Sequence, residues 1–264
     1  MGKRSQDSRH TPTIDAHSVA AVTRDQMREV DRLMIEEYGI SLLQMMENAG
    51  RALAEVARFM MGGAIGGQCV VVLAGPGGNG GGGLVAARRL HNWGADVSVL
   101  LSHPAMEMAE VPQHQLRAVG KIGAAISVWN PSTDSANSMR NADLIIDALV
   151  GYSLHGNLRE PAAAMVRAAN EASTPVLALD VPSGMDTDSD DARDPTVRAA
   201  STLTLALPKR GLIGPRARPY VGRLYIADIS VPAGAYRRIG IEVEDIFARG
   251  DIVAVSDEEG TIGE

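Results

Sequence analysis

The sequence is poor in cysteine and aromatic residues, and it has no excess of basic charge. Its single cysteine, Cys69, among 264 residues cannot form an internal disulfide or a cysteine-rich zinc site, so we expect a reducing, cytoplasmic location. Aromatic residues make up 3% of the chain, too few for the stacking platforms of proteins that bind single-stranded nucleic acid. The net charge of −7 also opposes binding to a phosphate backbone, which depends on clustered Lys and Arg.

Long apolar runs are also missing. No uninterrupted run approaches the ~18 residues of a membrane span, which predicts a soluble protein. Residues 1–21 are polar and aperiodic and lack the apolar centre of a secretory signal, so we expect a disordered tail there. We expect one ordered domain over residues 22–250, because 45% of the chain is hydrophobic, and a flexible segment over residues 251–264.

Two amphipathic helices are predicted to open the domain. Thr23 and Gln26 fit a capping box, in which each side chain satisfies a free backbone N–H group of the first helical turn. Ser41 can cap a second helix, which is predicted to continue until Gly62 and Gly63 stop it.

From residue 68 onwards, short apolar runs alternate with helical segments. The first run, Cys69–Ala74, ends in glycines and is typical of a strand buried on both faces. Strands that alternate with helices indicate an α/β, three-layer Rossmann-like fold, with a mainly parallel central sheet and helices on both faces. Further strands are predicted at Asp96–Leu101, Ala124–Val128, Leu144–Asp147, Val176–Asp180, Ser201–Leu207 and Arg223–Ala227.

Nine residues rich in glycine, Gly75–Gly83, separate the first predicted strand from a helix predicted at Leu84–Trp93. Backbone without Cβ atoms can approach a phosphate closely, and the positive end of a helix dipole favours the anion there. Two standard nucleotide motifs are nevertheless incomplete. No acid ends the second strand to hold a ribose, as a dinucleotide-binding domain requires, and no lysine follows the glycines, as a P-loop requires.

Two carboxylates, Asp147 and Asp180, end apolar strands of the predicted sheet. Open α/β sheets bind ligands outside the carboxyl ends of their strands. An aspartate that only caps the following turn is the alternative at each position. The two carboxylates together with the glycine segment favour a binding site.

Several ordered motifs in this chain resemble the YjeF N-terminal domain family, the NAD(P)H-hydrate epimerases. The resemblance covers about residues 22–235. Its motifs are Met27-Arg28-Glu29-Val30-Asp31, Met46-Glu47-Asn48-Ala49-Gly50, the glycine segment, Asp147-Ala148-Leu149-Val150-Gly151, Leu158-Arg159-Glu160-Pro161, Asp180-Val181-Pro182-Ser183-Gly184, Leu207-Pro208-Lys209 and Ala227-Asp228-Ile229.

This resemblance implies an isomerase of nicotinamide-nucleotide repair. Such an enzyme interconverts the R and S forms of NADH or NADPH that carry a hydroxyl at C6 of the reduced ring. A separate ATP- or ADP-dependent NAD(P)H-hydrate dehydratase then restores the S form. Because the sequence ends before any such second domain, we expect a stand-alone epimerase. Family members are often dimers, so a homodimer is expected, with the two amino-terminal helices as the contact surface.

The resemblance also implies site residues. One potassium ion per subunit would be held by Asn79, Asp147 and Ser183, whose oxygen atoms suit a hard cation. The implied substrate-binding residues are Gly78, Asn79, Gly80, Gly81, Gly82, Gly151, Tyr152, Ser153, Leu154, His155, Gly156, Asn157 and Asp180.

Asp147 is the predicted acid/base residue. A general acid that protonates the C6 hydroxyl releases water, and the ring nitrogen stabilises the planar iminium that remains. Water activated by a base then adds to the opposite face. Asp180 is predicted to position the ribose or the ring.

Gly78 and Gly82 depart from the family pattern, which has an Asn and an Asp at these positions. Their presence favours a second hypothesis, a catalytically silent YjeF-type module that binds a ligand or a protein. Retention of Asn79, Asp147 and Ser183 favours the enzyme. An ordinary NAD dehydrogenase is disfavoured because the ribose-binding acid is missing.

Overall fold

The computed structural model describes residues 11–131, 134–243 and 245–256. Within these residues, nine strands form one sheet and eight α-helices surround it. In chain order the elements are β1 (Thr13–Asp15), α1 (Arg24–Glu36), α2 (Leu42–Met60), β2 (Cys69–Ala74), α3 (Gly78–Asn92), β3 (Asp96–Leu101), α4 (Glu110–Lys121), β4 (Ala125–Val128), α5 (Ser135–Arg140), β5 (Leu144–Ala148), α6 (Ala162–Glu171), β6 (Val176–Leu179), β7 (Ser201–Leu205), α7 (Arg218–Val221), β8 (Arg223–Ala227), α8 (Ala233–Arg238) and β9 (Ile252–Ser256).

The strand order of the sheet is β1-β9-β8-β7-β6-β5-β2-β3-β4. Only β8 and β9 pair antiparallel, and all other neighbours in the described sheet are parallel. The predicted α/β fold with a mainly parallel sheet is therefore confirmed. From β2 the chain proceeds first to β3 and β4 on one side and then to β5, β6 and β7 on the other. The boundary between β2 and β5 is thus the topological switch point, where open α/β sheets bind ligands.

Alternate residues of the central strands face two different apolar layers. Val70 and Val72 belong to a buried cluster with residues of α2, α3 and α4. Val71 and Leu73 belong to a second cluster with residues of α5 and α6. Since successive side chains of a strand point to opposite faces, the helices cover both faces of the sheet. This is the predicted three-layer arrangement.

The two opening helices begin where the sequence predicts. Thr23 and Gln26 form a complete capping box at α1, and Ser41 forms one with Gln44 at α2. The buried face of α1 packs in an apolar cluster with residues that follow β7 and β8. Because of this packing, α1 and α2 stand over the carboxyl ends of the strands. Among the helices of the described chain, none has both the length and the apolar character of a membrane span.

The predictions for the two ends of the chain are partly wrong. Residues 13–15, assigned to a disordered tail, form strand β1, which pairs with β9 inside the segment predicted to be flexible. The Ala254 N–H also donates to the carbonyl of Pro12 at 2.7 Å. The sequence signal was weak because β1 has three residues and each of them pairs with a residue 241 positions away. Residues 1–10 and 257–264, which belong to the same two predictions, lie outside the described residues.

Most of the glycine segment, which is predicted to lie before the helix, is itself helical. Helix α3 begins at Gly78, six residues before the predicted start, and includes Gly80, Gly81, Gly82 and Gly83. Glycine is a poor helix former, but close packing requires it here. A Cβ on Gly81 would lie 2.5 Å from Met46 Sδ, and a Cβ on Gly83 would lie 2.5 Å from the Cβ of Ala148. The glycines thus allow α3 to approach α2 and β5.

Replacement of Gly80 by alanine is expected to destabilise the protein by about 1–3 kcal/mol, the usual cost of overpacking. A Cβ at this position would lie 1.9 Å from the carbonyl oxygen of Gly75, so the backbone must move. Gly78→Ala is the matched control, because a Cβ there meets only Met46 Cε at 3.7 Å. Urea denaturation of both variants measures the difference. Equal stability of the two variants would contradict the packing explanation.

Candidate active site

A cavity of about 270 Å³ lies at the carboxyl ends of the central strands. Its floor is formed by the ends of β6 and β7, by residues after β5, β6 and β7, and by the first turns of α3. Residues of α1 and α2, together with Ile229 after β8, form the rest of its wall. The apolar part of the wall is rich in methionine. The lining residues are Met27, Asp31, Leu42, Met45, Met46, Ala49, Gly78, Asn79, Gly82, Gly151, Tyr152, Ser153, Leu179, Asp180, Leu205, Lys209 and Ile229.

A buried ion pair between Asp180 and Lys209 dominates the polar part of the cavity. Lys209 Nζ donates to Asp180 Oδ1. The side chain of Lys209 is 0% exposed and that of Asp180 is 4% exposed. Lys209 Nζ also donates to the carbonyl of Leu205 at 3.0 Å and to Thr204 Oγ1 at 3.3 Å. These contacts use the three protons of the ammonium group, as buried charge requires. The charge pair is therefore fully supported on the protein side.

The backbone of Asp180 is held in an unusual conformation. Its φ angle is +69°, in the left-handed region that non-glycine residues seldom adopt. The Asp180 N–H donates to the carbonyl of Leu203 at 2.7 Å, which ties this residue to the neighbouring strand. Strained residues of this kind cluster at functional sites, where the surrounding structure holds them in place.

Tyr152 connects Asp180 with a second carboxylate in the cavity. Its backbone N–H donates to Asp180 Oδ2 at 2.8 Å, and its hydroxyl donates to Asp31 Oδ2 at 2.5 Å. Burial raises the pKa of the Asp31 carboxyl. Burial also raises the pKa of Tyr152, and the charge of Asp31 adds to this effect. The phenol therefore stays protonated and remains a hydrogen-bond donor.

Asn79 lies in the first turn of α3 and points toward the same group of residues. Its Nδ2 donates to the carbonyl of Leu179 at 3.2 Å, which fixes the orientation of the amide. A Cβ on Gly151 would lie 2.8 Å from Asp180 Oδ2 and 3.2 Å from Asn79 Oδ1. Gly151 thus lets the chain pass closely beside both side chains. The N-terminus of α3, at Gly78 and Asn79, opens onto the cavity and can receive an anion.

Asp147 and Ser183 form a separate, fully buried pair. Asp147 Oδ1 accepts from Ser183 Oγ at 2.7 Å, and Asp147 Oδ2 accepts from the Ser183 N–H at 2.8 Å. Asp147 Oδ1 also accepts from the Leu149 N–H at 3.2 Å. Burial raises the pKa of Asp147 to about 6, although these hydrogen bonds act in the opposite direction. Ser183 Oγ in turn accepts from the Val150 N–H at 3.1 Å.

Just over half of the substrate-binding residues that the sequence predicts line this cavity. They are Gly78, Asn79, Gly82, Gly151, Tyr152, Ser153 and Asp180.

The other predicted substrate-binding residues lie elsewhere among the described residues. Gly80 and Gly81 are buried in α3 against Gly75 and Met46. Leu154, His155, Gly156 and Asn157 are in the loop beyond the cavity lining. His155 is exposed, and its Nδ1 lies 3.2 Å from Nη1 of Arg24.

Of the two predicted aspartates, only Asp180 lines the cavity. Asp147 is fully buried, and neither it nor Ser183 is among the described residues that line the cavity. In the sequence the two aspartates cannot be distinguished, because each of them ends a predicted strand. They differ because Asp147 lies within β5 and is enclosed by the Pro-Ser-Gly turn, whereas Asp180 follows the last residue of β6.

Two polar residues of the cavity, Lys209 and Asp31, were not assigned to the site from the sequence. Lys209 follows β7 and an apolar segment, so an isolated lysine directly after an apolar run was the available signal. Asp31 lies on the buried face of α1 beside Met27 and Met34, at helical spacing from both. A charged residue inside an apolar helical stripe is the signal that identifies it.

Comparison with known proteins gives consistent matches over most of the chain. Residues 42–211 match the family described as YjeF-related protein N-terminus. The NAD(P)H-hydrate epimerase of Dehalogenimonas lykanthroporepellens is 39% identical over 231 residues, which cover 87% of this chain and 90% of that protein. The NAD(P)H-hydrate epimerase of Rhodopirellula baltica is 32% identical over 220 residues, which cover 83% of this chain and 88% of that protein.

Two other matches differ in length or extend only to the fold. The bifunctional NAD(P)H-hydrate repair enzyme Nnr of Pyrobaculum aerophilum is 36% identical, and the alignment covers 83% of this chain but 44% of that protein. The crystal structure of yeast Ynu0 aligns with a TM-score of 0.77 at 24% identity, covering 89% of this chain and 100% of that one. The yeast structure is similar in fold.

Proposed function

The chain belongs to the family of YjeF-related N-terminal domains, and we propose that it is an isomerase that interconverts the R and S epimers of hydrated NADH and NADPH. Relatives that cover most of its length are named NAD(P)H-hydrate epimerase. The structural observation that carries the proposal is the Asp180–Lys209 pair. This pair places a buried carboxylate in a cavity whose size suits a nicotinamide ring. The cavity lies at the switch point of the sheet.

Asp180 is the residue that we assign to proton transfer at the oxygen on C6. As a carboxylic acid it gives a proton to the C6 hydroxyl, the C–O bond breaks, and water leaves with the bonding electrons. The lone pair of the ring nitrogen forms the iminium. As a carboxylate it accepts a proton from a water molecule that adds to C6 on the face that Asp180 reaches, and proton transfer on the opposite face requires a second group. Lys209 stabilises the negative charge of Asp180 between these steps.

Substrate binding is supported by the rest of the wall. The N-terminus of α3 at Gly78 and Asn79 offers backbone N–H groups and the positive end of a helix dipole to the diphosphate. The apolar side chains of Met27, Met45 and Met46 suit the reduced ring and limit the access of bulk water.

We extend the proposal to one potassium ion held by Asn79, Asp147 and Ser183. Ser183 bonds to Asp147 and to the Val150 N–H, and Asn79 Oδ1 would lie 3.2 Å from a Cβ on Gly151, so the three residues border the short segment from Asp147 to Gly151. No group of three or more His, Cys, Asp or Glu side chains that could hold a metal occurs in the part of the chain that the structure describes. The amide, carboxylate and hydroxyl oxygens of this set instead suit a hard monovalent cation. When bound, the ion would supply a positive charge that keeps the segment before Tyr152 in place.

Potassium is expected to raise the melting temperature by about 2–4 °C for each kcal/mol of binding free energy. Ser183→Ala removes one ligand and is expected to abolish the increase, whereas Ser138→Ala, in α5, is expected to keep it. Because burial raises the pKa of Asp147 to about 6 and the ion competes with its proton, the increase should be larger near pH 8 than near pH 5.5. Scanning fluorimetry in potassium chloride and in choline chloride measures it. An equal increase in choline would contradict the site.

A partner enzyme, an oligomeric state and a cellular location complete the proposal. The bifunctional relatives combine repair activities in one longer protein, so we propose that a separate NAD(P)H-hydrate dehydratase works with this chain. We also propose that the enzyme acts as a homodimer in the cytoplasm.

A catalytically silent binding module is the second candidate, and Gly78 and Gly82 are the observations that favour it. At these two positions of the cavity wall the family pattern has an Asn and an Asp, and this chain has no side chain there. Asn79, Asp180 and Lys209 remain as polar groups of the wall. Incubation of one purified epimer with the protein, followed by chromatography, separates the two candidates. An enzyme converts the single epimer to a mixture at a rate proportional to protein concentration. A silent module leaves the uncatalysed rate unchanged.

A further inference from the structure

We propose that Asp31 is the second proton-transfer residue of this site, and that Asp31 and Asp180 each serve one face of the substrate ring. The inference rests on the proposed epimerase function, and it supplies what one carboxylate cannot. Inversion at C6 needs water to leave from one face and to add to the other. A single carboxylate at a fixed position reaches the oxygen on one of these faces only.

Tyr152 bonds to both carboxylates, to one through its backbone and to the other through the end of its side chain. The backbone N–H of Tyr152 bonds to Asp180, and its hydroxyl bonds to Asp31. The two acids therefore bond to different ends of Tyr152, and both line the same cavity. Carboxylates that act on the two faces of a sugar ring in inverting glycosidases are likewise separated, by about 6.5–9.5 Å. In those enzymes the separation leaves room for the attacking water.

Apart from the hydrogen bond that it accepts from the Tyr152 hydroxyl, the carboxyl at position 31 has no structural partner among the described residues. It lies on the apolar face of α1 with Met27, Val30 and Met34, where a methionine or leucine would stabilise the helix. Among the described residues, no cation pairs with Asp31: Lys209 bonds to Asp180, and the ion pair of Arg28 is with Asp25. Tyr152 bonds to Oδ2, and the described residues offer no partner for Oδ1.

The burial of Asp31 also suits the role of an acid. Burial without a paired cation disfavours the charged form, and the pKa of Asp31 is accordingly raised. Asp180, with Lys209 beside it, is the partner that carries negative charge. The reaction thus begins with Asp31 protonated and Asp180 ionised, so one carboxyl can give a proton while the other accepts one.

The chemical step is balanced with these two residues. Protonated Asp31 gives its proton to the C6 hydroxyl, and the C–O bond breaks so that water leaves. The ring nitrogen holds the positive charge as the iminium. A second water adds to the other face and gives its proton to the carboxylate of Asp180, which completes the opposite epimer. The enzyme now has Asp31 ionised and Asp180 protonated, the states that convert the product epimer back.

Oxygen-18 water distinguishes this mechanism from a structural role of Asp31. The wild-type protein is expected to convert each epimer into the other and to introduce the label at C6 of both. Asp31→Asn is expected to slow epimer interconversion by about 100-fold or more. It should nevertheless still label one of the two epimers with retention of configuration, because Asp180 alone can release and return water on its own face. The matched control is Asp25→Asn, on the same helix but 86% exposed, which should behave as the wild type.

Each other outcome has a distinct meaning. If Asp31→Asn slows labelling of both epimers by the same factor as interconversion, Asp31 only supports Tyr152 and the proposal is overturned. Unchanged interconversion in this variant overturns it as well. If the wild-type protein neither labels nor interconverts the hydrate, the proposed epimerase function itself fails. Asp31→Ala with added formate gives a second test, since recovery of interconversion by formate requires a carboxylate at this position.

Discussion

Replacement of Asp180 by asparagine is expected to lower kcat/KM for epimer interconversion by about 10²–10⁴-fold, the range that general acid–base catalysis contributes. An asparagine fills the same space and can still accept a hydrogen bond from the Tyr152 N–H, as Asp180 Oδ2 does at 2.8 Å. It cannot carry a proton to or from the oxygen on C6. Chromatography of the two epimers after timed incubation with the variant measures the effect.

Asp96→Asn is the matched control for this prediction. Asp96 begins β3 and is exposed at the amino end of the strands, away from the cavity. We expect its variant to keep wild-type activity. If Asp180→Asn instead keeps more than about a tenth of the activity, Asp180 has no role in general acid–base catalysis. Asp31 and Asp147, whose pKa values are both raised by burial, would then be the candidates.

Replacement of Lys209 by methionine is expected to lower the free energy of unfolding by about 3–5 kcal/mol, the usual cost of leaving one partner of a buried ion pair uncompensated. Lys209 is 0% exposed and has three hydrogen bonds, so water cannot readily replace it. Methionine keeps most of the side-chain volume, which limits the loss of packing. Urea denaturation of the variant gives the free energy of unfolding.

A double variant tests whether this loss comes from the unpaired carboxylate. Asp180→Asn combined with Lys209→Met removes both charges, and we expect it to be more stable than Lys209→Met alone. If the two changes are additive, with no coupling free energy between them, Asp180 and Lys209 do not stabilise each other. In that case the description of the cavity as the site of a supported ion pair is wrong.

Much of the fold could be predicted because its signals are local. The capping residues Thr23 and Ser41 mark the starts of α1 and α2, and short apolar runs mark the strands of the central sheet. β1 and β9 were missed because β1 is short and its pairing spans almost the whole chain. The helical start of α3 at Gly78 was missed because glycine propensity points to a loop, whereas packing against α2 and β5 decides the conformation.

The location of the candidate site was predictable, but which of the two aspartates faces the cavity was not. The carboxyl ends of β5 and β6 do border one cavity, as parallel topology implies. Which aspartate faces that cavity depends on the Pro-Ser-Gly turn, whose Ser183 encloses Asp147 through both N–H and hydroxyl. Lys209 and Asp31 come from elements distant in sequence, and only the folded chain brings them together with Asp180.

The central claim is that the reaction takes place between Asp180 and Asp31 in this cavity. The most direct test is a crystal structure of the Asp180→Asn variant soaked with the hydrate, which this variant should turn over slowly. We expect the hydrated ring between residue 180 and Asp31, with the C6 oxygen within hydrogen-bond distance of one of them, about 2.6–3.2 Å. Density for the ring outside the cavity, or with C6 turned away from both side chains, would contradict the claim.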